Sequence, residues 1–327
     1  MNSRPLGTTG FDVSEIGLGT WQLGGDWGPV SDEEATDAIE AALDAGITFL
    51  DTADVYGDGA SEQYIGSVLD ERDDDVVVAT KAGQRLDQQV ADGYTHENLD
   101  RFVDRSRENL GVDSLDLVQL HCPPRDTYYR PEVFDALDEL KDAGKIDHYG
   151  VSVEKVEDAI KAIEYDGVET VQIIFNPLRQ RPADVFFREA QRRNVGVIVR
   201  VPLASGLLTG ALSADAEFTE QDHRNYNRDG EAFDVGETFA GIPFEDGLAA
   251  ADSLETVVPD GVSLAQFTLR WILSFDAVST IIPGSKTPAH IRDNVAAASL
   301  PPLSAEQFQH VDEVYDAYAR EHVHHRW

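Results

Sequence analysis

In the stretch FLDTADVYGDG, residues 49–59, a short apolar run ends in Asp51, and Tyr56 follows five residues later. Two more chemistry-bearing residues close β-rich apolar runs: Lys81 ends VVVATK and His121 ends LVQLH. A free phenol has a pKa of about 10 and is a poor acid at neutral pH, but a close buried ammonium favours its anion and lowers that value. The ammonium in turn needs a counter-charge in a dry site. Lys81 beside Tyr56, balanced by Asp51, with His121 orienting a substrate oxygen next to the phenol, would make a proton-transfer site. Taken singly, an Asp–Tyr pair is an ordinary turn feature, and a strand-end histidine is more often a satisfied core group. The chemistry therefore depends on a fold that brings the ends of three strands together.

The remaining pattern predicts such a fold. After a hairpin at Arg4 to Val13, the run SEIGLGTW reads as a strand, and SDEEATDAIEAALDAG as a helix capped by Ser31 and stopped at Gly46. The unit repeats with strands ITFL, DVVVAT, LDLVQL, KIDHYGVS, TVQIIF, GVIVRV and AVSTIIP, and with helices near 61–70, 96–110, 131–143, 154–164, 182–193, 262–275 and 288–297. Nearly continuous apolar strands, each followed by a helix, suit a parallel sheet covered on both faces. Eight such units without a linker favour a single (β/α)8 barrel, residues 1–327 as one domain, over a doubly wound sheet. A polar segment at about 209–245 is too long for a plain connection and reads as a lid or binding loop. An extra helix is expected at about 304–320.

Composition narrows the function classes. The chain has 61 acidic against 26 basic residues, a net charge of −35, with six lysines and twenty arginines. This charge repels nucleic acid and anionic membrane surfaces, so neither is expected as a partner. The acids are dispersed, and molar salt, with a Debye length of about 3 Å, would screen their repulsion; the composition reads as adaptation to a salty cytoplasm. No apolar run is long enough for a membrane helix and MNSRPLGTTG lacks the features of a secretory signal, so a soluble cytoplasmic protein is expected. The single cysteine, Cys122, excludes an internal disulfide and a cysteine-based metal cage. It has no separate base, which argues against a thiol nucleophile. HVHHRW, at a terminus where disorder is the usual expectation, is set aside as a metal site. The runs DERDDD and DGEAFD read as solvated loops. Trp21, Trp27, Tyr128, Tyr129 and Tyr226 are candidate pocket walls or plain packing.

Almost the whole chain resembles the aldo-keto reductases, from RPLGTTGFDVSEIGLGTW through FLDTADVYG, VVVATK, LDLVQLHCP, GVSV, VQIIFNPL and VPLASGLLTG to IIPGSKTPAHIRDN. Asp51, Tyr56, Lys81 and His121 match that family's catalytic tetrad. The resemblance implies a barrel that binds NAD(P)H and reduces a small-molecule aldehyde or ketone. The reverse oxidation of a sugar or alcohol is the same chemistry run backwards. The family also includes nucleotide-binding barrels attached to channels, so a regulatory subunit is a third reading. His121, where steroid double-bond reductases carry glutamate, favours carbonyl chemistry.

GLGTWQ is not a Rossmann fingerprint, because Gln22 stands where the third glycine should be. The resemblance places the cofactor elsewhere. Thr20, Trp21 and Asp51 lie at its reactive end. Ser152 and Gln172 match positions that hydrogen-bond the nicotinamide carboxamide. VPLASGLLTG matches the pyrophosphate loop, with Pro202, Leu203, Ser205, Gly206 and Leu208. GSKTPAHIRDN matches the adenosine end: Ser285 and Lys286 reach a 2′-phosphate, Asp293 and Asn294 the adenine, with Gly284, Thr287 and His290 alongside. Without the family, Thr287 and Pro288 read as a helix entry. Three positions depart from the family's habit. Arg200 replaces a stacking aromatic, Val153 an asparagine, and Gly284 and His290 a lysine and an arginine of strictly NADPH-dependent members. NADP is expected by a modest preference, with NAD as the alternative.

Overall fold

The computed structural model describes residues 1–25 and 27–327. Its N-terminal hairpin joins β1 (Ser3–Pro5) to β2 (Asp12–Ser14), with Arg4 opposite Val13. Eight parallel strands follow in chain order: β3 (Leu18–Gly19), β4 (Phe49–Asp51), β5 (Val77–Ala82), β6 (Leu115–His121), β7 (Ile146–Ser152), β8 (Val168–Ile174), β9 (Gly196–Arg200) and β10 (Val278–Ile281). The first and last close on each other. Ile16 bridges Ile281 and Gly19 bridges Gly284 in parallel, and the Gly17 N–H donates to the Ile281 carbonyl at 2.8 Å. Glycine is required at position 19, because a Cβ there would lie 2.8 Å from the Ile282 carbonyl oxygen. The sheet is a (β/α)8 barrel. Its first strand is shorter than SEIGLGTW, because Ser14 and Glu15 belong to the hairpin and the closing seam.

The helices are α1 (Asp32–Asp44), α2 (Ala60–Asp70), α3 (His96–Leu110), α4 (Pro131–Asp142), α5 (Val156–Ala162), α6 (Arg181–Val185), α7 (Phe187–Arg193), α8 (His223–Tyr226), α9 (Phe244–Glu255), α10 (Leu264–Ile272), α11 (Pro288–Ala296), α12 (Ala305–Val314) and α13 (Arg320–Val323). Ser31 and Glu34 form a reciprocal capping box on α1, and Gly46 takes φ +84 after it. The helix expected at 182–193 is broken at Phe186. The helix α9 was not expected at all: Gly247 and a run of alanines blur its periodicity, although it buries Gly247, Ala250, Ala251 and Leu254. The helix expected at about 304–320 runs through α12, a π-turn at Tyr315–Ala319 and α13.

The hairpin plugs the N-terminal end of the barrel. Leu6 and Val13 join Phe49, Val77, Ala79, Leu117, Ile198 and Ile282 in a cluster inside it. Arg4 pairs with Glu15 at 2.8 Å and donates to the carbonyls of Leu273 and Val278. Only the C-terminal end, the functional face of such barrels, remains for a site. No helix among the described residues is long and apolar enough to cross a membrane.

Candidate active site

Parallel register sets the residues of the site side by side. Lys81 on β5 pairs with Gln119 on β6, His121 with Ser152 on β7, and Ser152 with Gln172 on β8. Residues two apart on a strand share a face, so Gln119 and His121 point the same way. Asp51 ends β4, and Tyr56 opens the turn Tyr56–Gly59 just beyond it. Lys81 Nζ donates to Asp51 Oδ2 at 2.6 Å, to the Thr52 carbonyl at 2.8 Å and to the Tyr56 hydroxyl at 3.3 Å. The His121 ring stands edge-on to Tyr56, with centroids 6.0 Å apart. The fold thus brings Asp51, Tyr56, Lys81 and His121 into one cluster. Lys81 and Asp51 are almost fully buried, while Tyr56 and His121 keep partial access to the outside.

One expectation needs correcting. Tyr56 is pushed well above the ordinary phenol value, not below it; loss of water dominates, and the Asp51 and Glu237 carboxylates add to it against Arg200. The phenol therefore holds its proton firmly at neutral pH. His121 is pushed well below the usual histidine range by burial, with Lys81 and Arg200 acting in the same direction. It is a neutral imidazole, and its Nδ1 is buried without a hydrogen-bond partner. Burial also pushes the Cys122 thiol up to about 12.

Two polar groups at the centre, Gln119 and Asp54, are not singled out by the sequence. The Gln172 amide donates to Asp51 Oδ1 at 2.6 Å and Gln119 to the same oxygen at 3.4 Å, so with Lys81 three side-chain donors converge on the Asp51 carboxylate. A glutamine inside an apolar strand, as in LDLVQL, is the signal that was available. Asp54, two residues before Tyr56, is fully buried with neither carboxylate oxygen hydrogen-bonded. Burial first, then Glu62, push it up to about 7 against Arg85, Arg105 and Lys81.

The positions expected to hold the cofactor differ in how far the framework already engages them. Thr20 is engaged in the framework: its hydroxyl donates to the Asp51 carbonyl at 2.9 Å and accepts from Ser61 at 2.7 Å. Trp21 stacks at 6.3 Å over Tyr56 and touches His223 and Phe233 of the long segment. Ser152 Oγ lies 3.5 Å from Gln172 Oε1. Asp293 faces α10, accepting from Gln266 at 2.7 Å and from Ser263 at 3.3 Å. Asn294 is buried. Thr287 occupies the N-cap of α11 but makes no side-chain cap; its N–H donates to Ser285 Oγ at 3.0 Å. Lys286 Nζ lies 3.4 Å from the Pro29 carbonyl, and Gly284 faces the side chain of Gln22. His290 is exposed.

The segment VPLASGLLTG, expected to take the pyrophosphate, has an unusual backbone. Val201, Ala204, Ser205 and Gly206 all take positive φ, at 49°, 47°, 55° and 102°. A β-branched residue there is an outlier that the surroundings must enforce, and such strain gathers at functional sites. Curled backbone of this kind presents N–H groups to an anion. Cys122, beside His121, has φ 46° as well. Arg200 pairs tightly with Glu237 and donates to the Val153 carbonyl at 2.9 Å, and its Nε is buried without a partner. The orphan Arg200 Nε, the orphan His121 Nδ1 and the curled backbone are unmet polar groups of the kind a dinucleotide would engage.

The segment at 209–245 covers this face. Ser205 Oγ donates to the Glu237 carbonyl at 2.8 Å, and His223 packs against Trp21 and Trp27. A cleft of about 230 Å³ adjoins the cluster at Cys122; Gln84, Gln89, Arg125, Glu154 and Lys155 line it as well. Of the other aromatic candidates, Tyr128 is core and Tyr129 is exposed. Among the described residues no group of histidine, cysteine and carboxylate side chains could hold a metal, and His322 to Trp327 is a packed segment whose Trp327 is 4% exposed. The expected disorder there is overturned by this packing.

Comparison with known proteins agrees with the barrel. Residues 15–316 match the family model described as "Aldo/keto reductase family", and the chain belongs to that family. It is an NAD(P)H-dependent oxidoreductase of the aldo-keto reductase type. It is similar to an aldo-keto reductase of Bacillus subtilis, 31% identical over 301 residues and covering 89% of this chain and 87% of the relative. An NADH-specific methylglyoxal reductase of Escherichia coli is 28% identical, covering 92% and 94%. Among solved structures, the glycerol dehydrogenase of Gluconobacter oxydans superposes with a TM-score of 0.79 at 28% identity, covering 99% of this chain and 96% of that one.

Proposed function

We propose that the enzyme interconverts small aldehydes or ketones and the corresponding alcohols, with Tyr56 exchanging a proton with the substrate oxygen. The observation that carries this reading is Lys81 Nζ held 2.6 Å from Asp51 and 3.3 Å from the Tyr56 hydroxyl, with His121 across from the phenol. A bound nicotinamide supplies or accepts the hydride. Tyr56, kept protonated, gives its proton to the oxygen during reduction. Lys81 stabilises the phenolate that remains, and Asp51 balances the ammonium so that it can stay in a dry site. His121, neutral, donates one ring N–H to the substrate oxygen and orients it.

Gln172, whose amide nitrogen is committed to Asp51, offers its Oε1 together with Ser152 to the nicotinamide carboxamide. Thr20 positions Asp51, Trp21 would wall the reactive end, and the Arg200 guanidinium would support the nicotinamide. Pro202, Leu203, Ser205, Gly206 and Leu208 take the pyrophosphate. Ser285 and Lys286 offer a hydroxyl and a positive charge to a 2′-phosphate, with Gly284, Thr287, His290 and Asn294 around the adenosine. Asp293 is left to α10.

The polar lining of the cleft supports hydroxylated carbonyls, sugars or polyols as substrates, and the likeness to a glycerol dehydrogenase supports trying the oxidative direction. The test is a panel of aldehydes, ketones, sugars and polyols assayed both ways. Absence of turnover across the panel, with dinucleotide still bound, would contradict the proposal and favour a regulatory subunit. The same panel compares cofactors. We expect kcat/KM to be higher with NADPH than with NADH; a preference of tenfold or more for NADH, as in the E. coli relative, would overturn the assignment of Lys286.

We also propose salt adaptation. With a net charge of −35, repulsion penalises the compact state, and screening relieves it. The melting temperature is expected to rise from tens of millimolar to molar KCl; a flat or falling series removes this reading.

A further inference from the structure

The loop Val235–Glu237 carries a carboxylate onto Arg200, but that arrangement is electrostatically awkward. Glu154, Asp234 and Glu237 crowd around the buried guanidinium groups of Arg179 and Arg200, and their proximity, on top of burial, pushes Glu154 above the usual carboxylate range. Like charges gathered in poor solvent push apart unless donors hold them. The donors come from a distant part of the chain. The indole Nε1–H of Trp327 donates to both carboxylate oxygens of Asp234, at 3.0 and 3.1 Å. The Arg179 guanidinium lies 3.8 Å over the Trp327 ring and donates to the Ala240 carbonyl at 3.1 Å. The ring also rests on Gly241, where a Cβ would come within 2.7 Å of it. Arg181 holds the Trp327 carbonyl.

From these contacts we infer that Trp327 is a positioning residue for the cofactor site: it clamps Asp234, and through it the turn that sets Glu237 against Arg200. The connection is continuous. Asp234 Oδ1 accepts from the Gly236 N–H at 2.7 Å and caps the turn Val235–Glu237. The Glu237 side chain then pairs with Arg200, and its carbonyl accepts from Ser205 of the pyrophosphate loop. Phe239 and Ala240, with φ 52° and 58°, are held in strained backbone next to this contact. Without the indole, Asp234 loses one bifurcated charge-assisted bond and Arg179 its stacking partner, so the lid opens more readily and the dinucleotide leaves faster. The inference rests on the assignment of Arg200 to the nicotinamide end.

The experiment measures dinucleotide Kd and dissociation rate by fluorescence, with kcat and thermal melting, for wild type, Trp327→Ala and Trp327→Phe. Trp327→Ala is expected to raise both Kd and dissociation rate about tenfold or more, the scale of a lost hydrogen bond to a charged group. At saturating cofactor kcat should hold or rise. Trp327→Phe keeps the stack and loses the N–H, so it should fall between the two, and it carries the test alone if the alanine variant fails to fold. A loss of kcat and melting temperature at unchanged Kd would indicate a merely structural role and overturn the inference. If the wild type binds dinucleotide and both variants match its Kd and dissociation rate, the inference falls and the site assignment stands. If the wild type binds none, the site assignment falls and takes the inference with it.

Discussion

Tyr56→Phe should lower kcat by about 10²–10⁴-fold, the usual contribution of a positioned general acid, while leaving the dinucleotide Kd unchanged. The substitution removes one oxygen and keeps the ring on which Trp21 stacks. The wall of the site and the packing around Lys81 therefore persist. The loss should fall equally on kcat and kcat/KM, because the proton moves only in the transition state. Steady-state kinetics in both directions, with cofactor binding measured separately, decide the matter. A variant with wild-type kcat would mean that another group carries the proton.

Lys81→Met should be nearly as damaging, and its pH dependence is the more informative reading. Tyr56 already lies well above the ordinary phenol value. Taking away the ammonium 3.3 Å from its oxygen raises it further, because the phenolate loses its nearest cation. In oxidation the phenolate is the base, so the alkaline rise of kcat/KM should move to higher pH and the rate at neutral pH should fall. A loss of about 10²–10³-fold is expected, the scale of one donor to a developing oxyanion. An unchanged pH–rate profile would sink the coupling. The same variant strands Asp51 as a buried anion, and removal of one partner from such a pair costs about 3–5 kcal/mol. Gln172 and Gln119 still donate to Asp51, which places the expected loss toward the lower end. Asp51→Asn should cost less activity, since Lys81 keeps the Thr52 carbonyl and the phenol.

The barrel was legible because its strands are largely apolar runs of the length a covered parallel sheet requires, and because several of them end in a polar residue. Asp51, Lys81 and His121 stand out for that reason. The direction of the Tyr56 shift was not legible. It depends on how much water reaches the ring and on Glu237, which arrives from a loop far along the chain. The helix α9 was hidden by Gly247 and its alanines. DGEAFD reads as a solvated loop and HVHHRW as a terminus expected to be disordered, yet Asp234 in the first bonds Trp327 in the second. Pairings between two polar loops leave no periodic trace, since neither partner's neighbours share the contact.

The central claim is that hydride passes between a nicotinamide and the carbonyl carbon while Tyr56 handles the proton. The direct measurement supplies the preferred dinucleotide, reduced and deuterated at the transferring position, with the best carbonyl from the panel. The account predicts deuterium on the carbinol carbon of the product, with turnover abolished in Tyr56→Phe at unchanged cofactor affinity. Deuterium absent from that carbon, or cofactor bound without turnover of any carbonyl or alcohol, would contradict it.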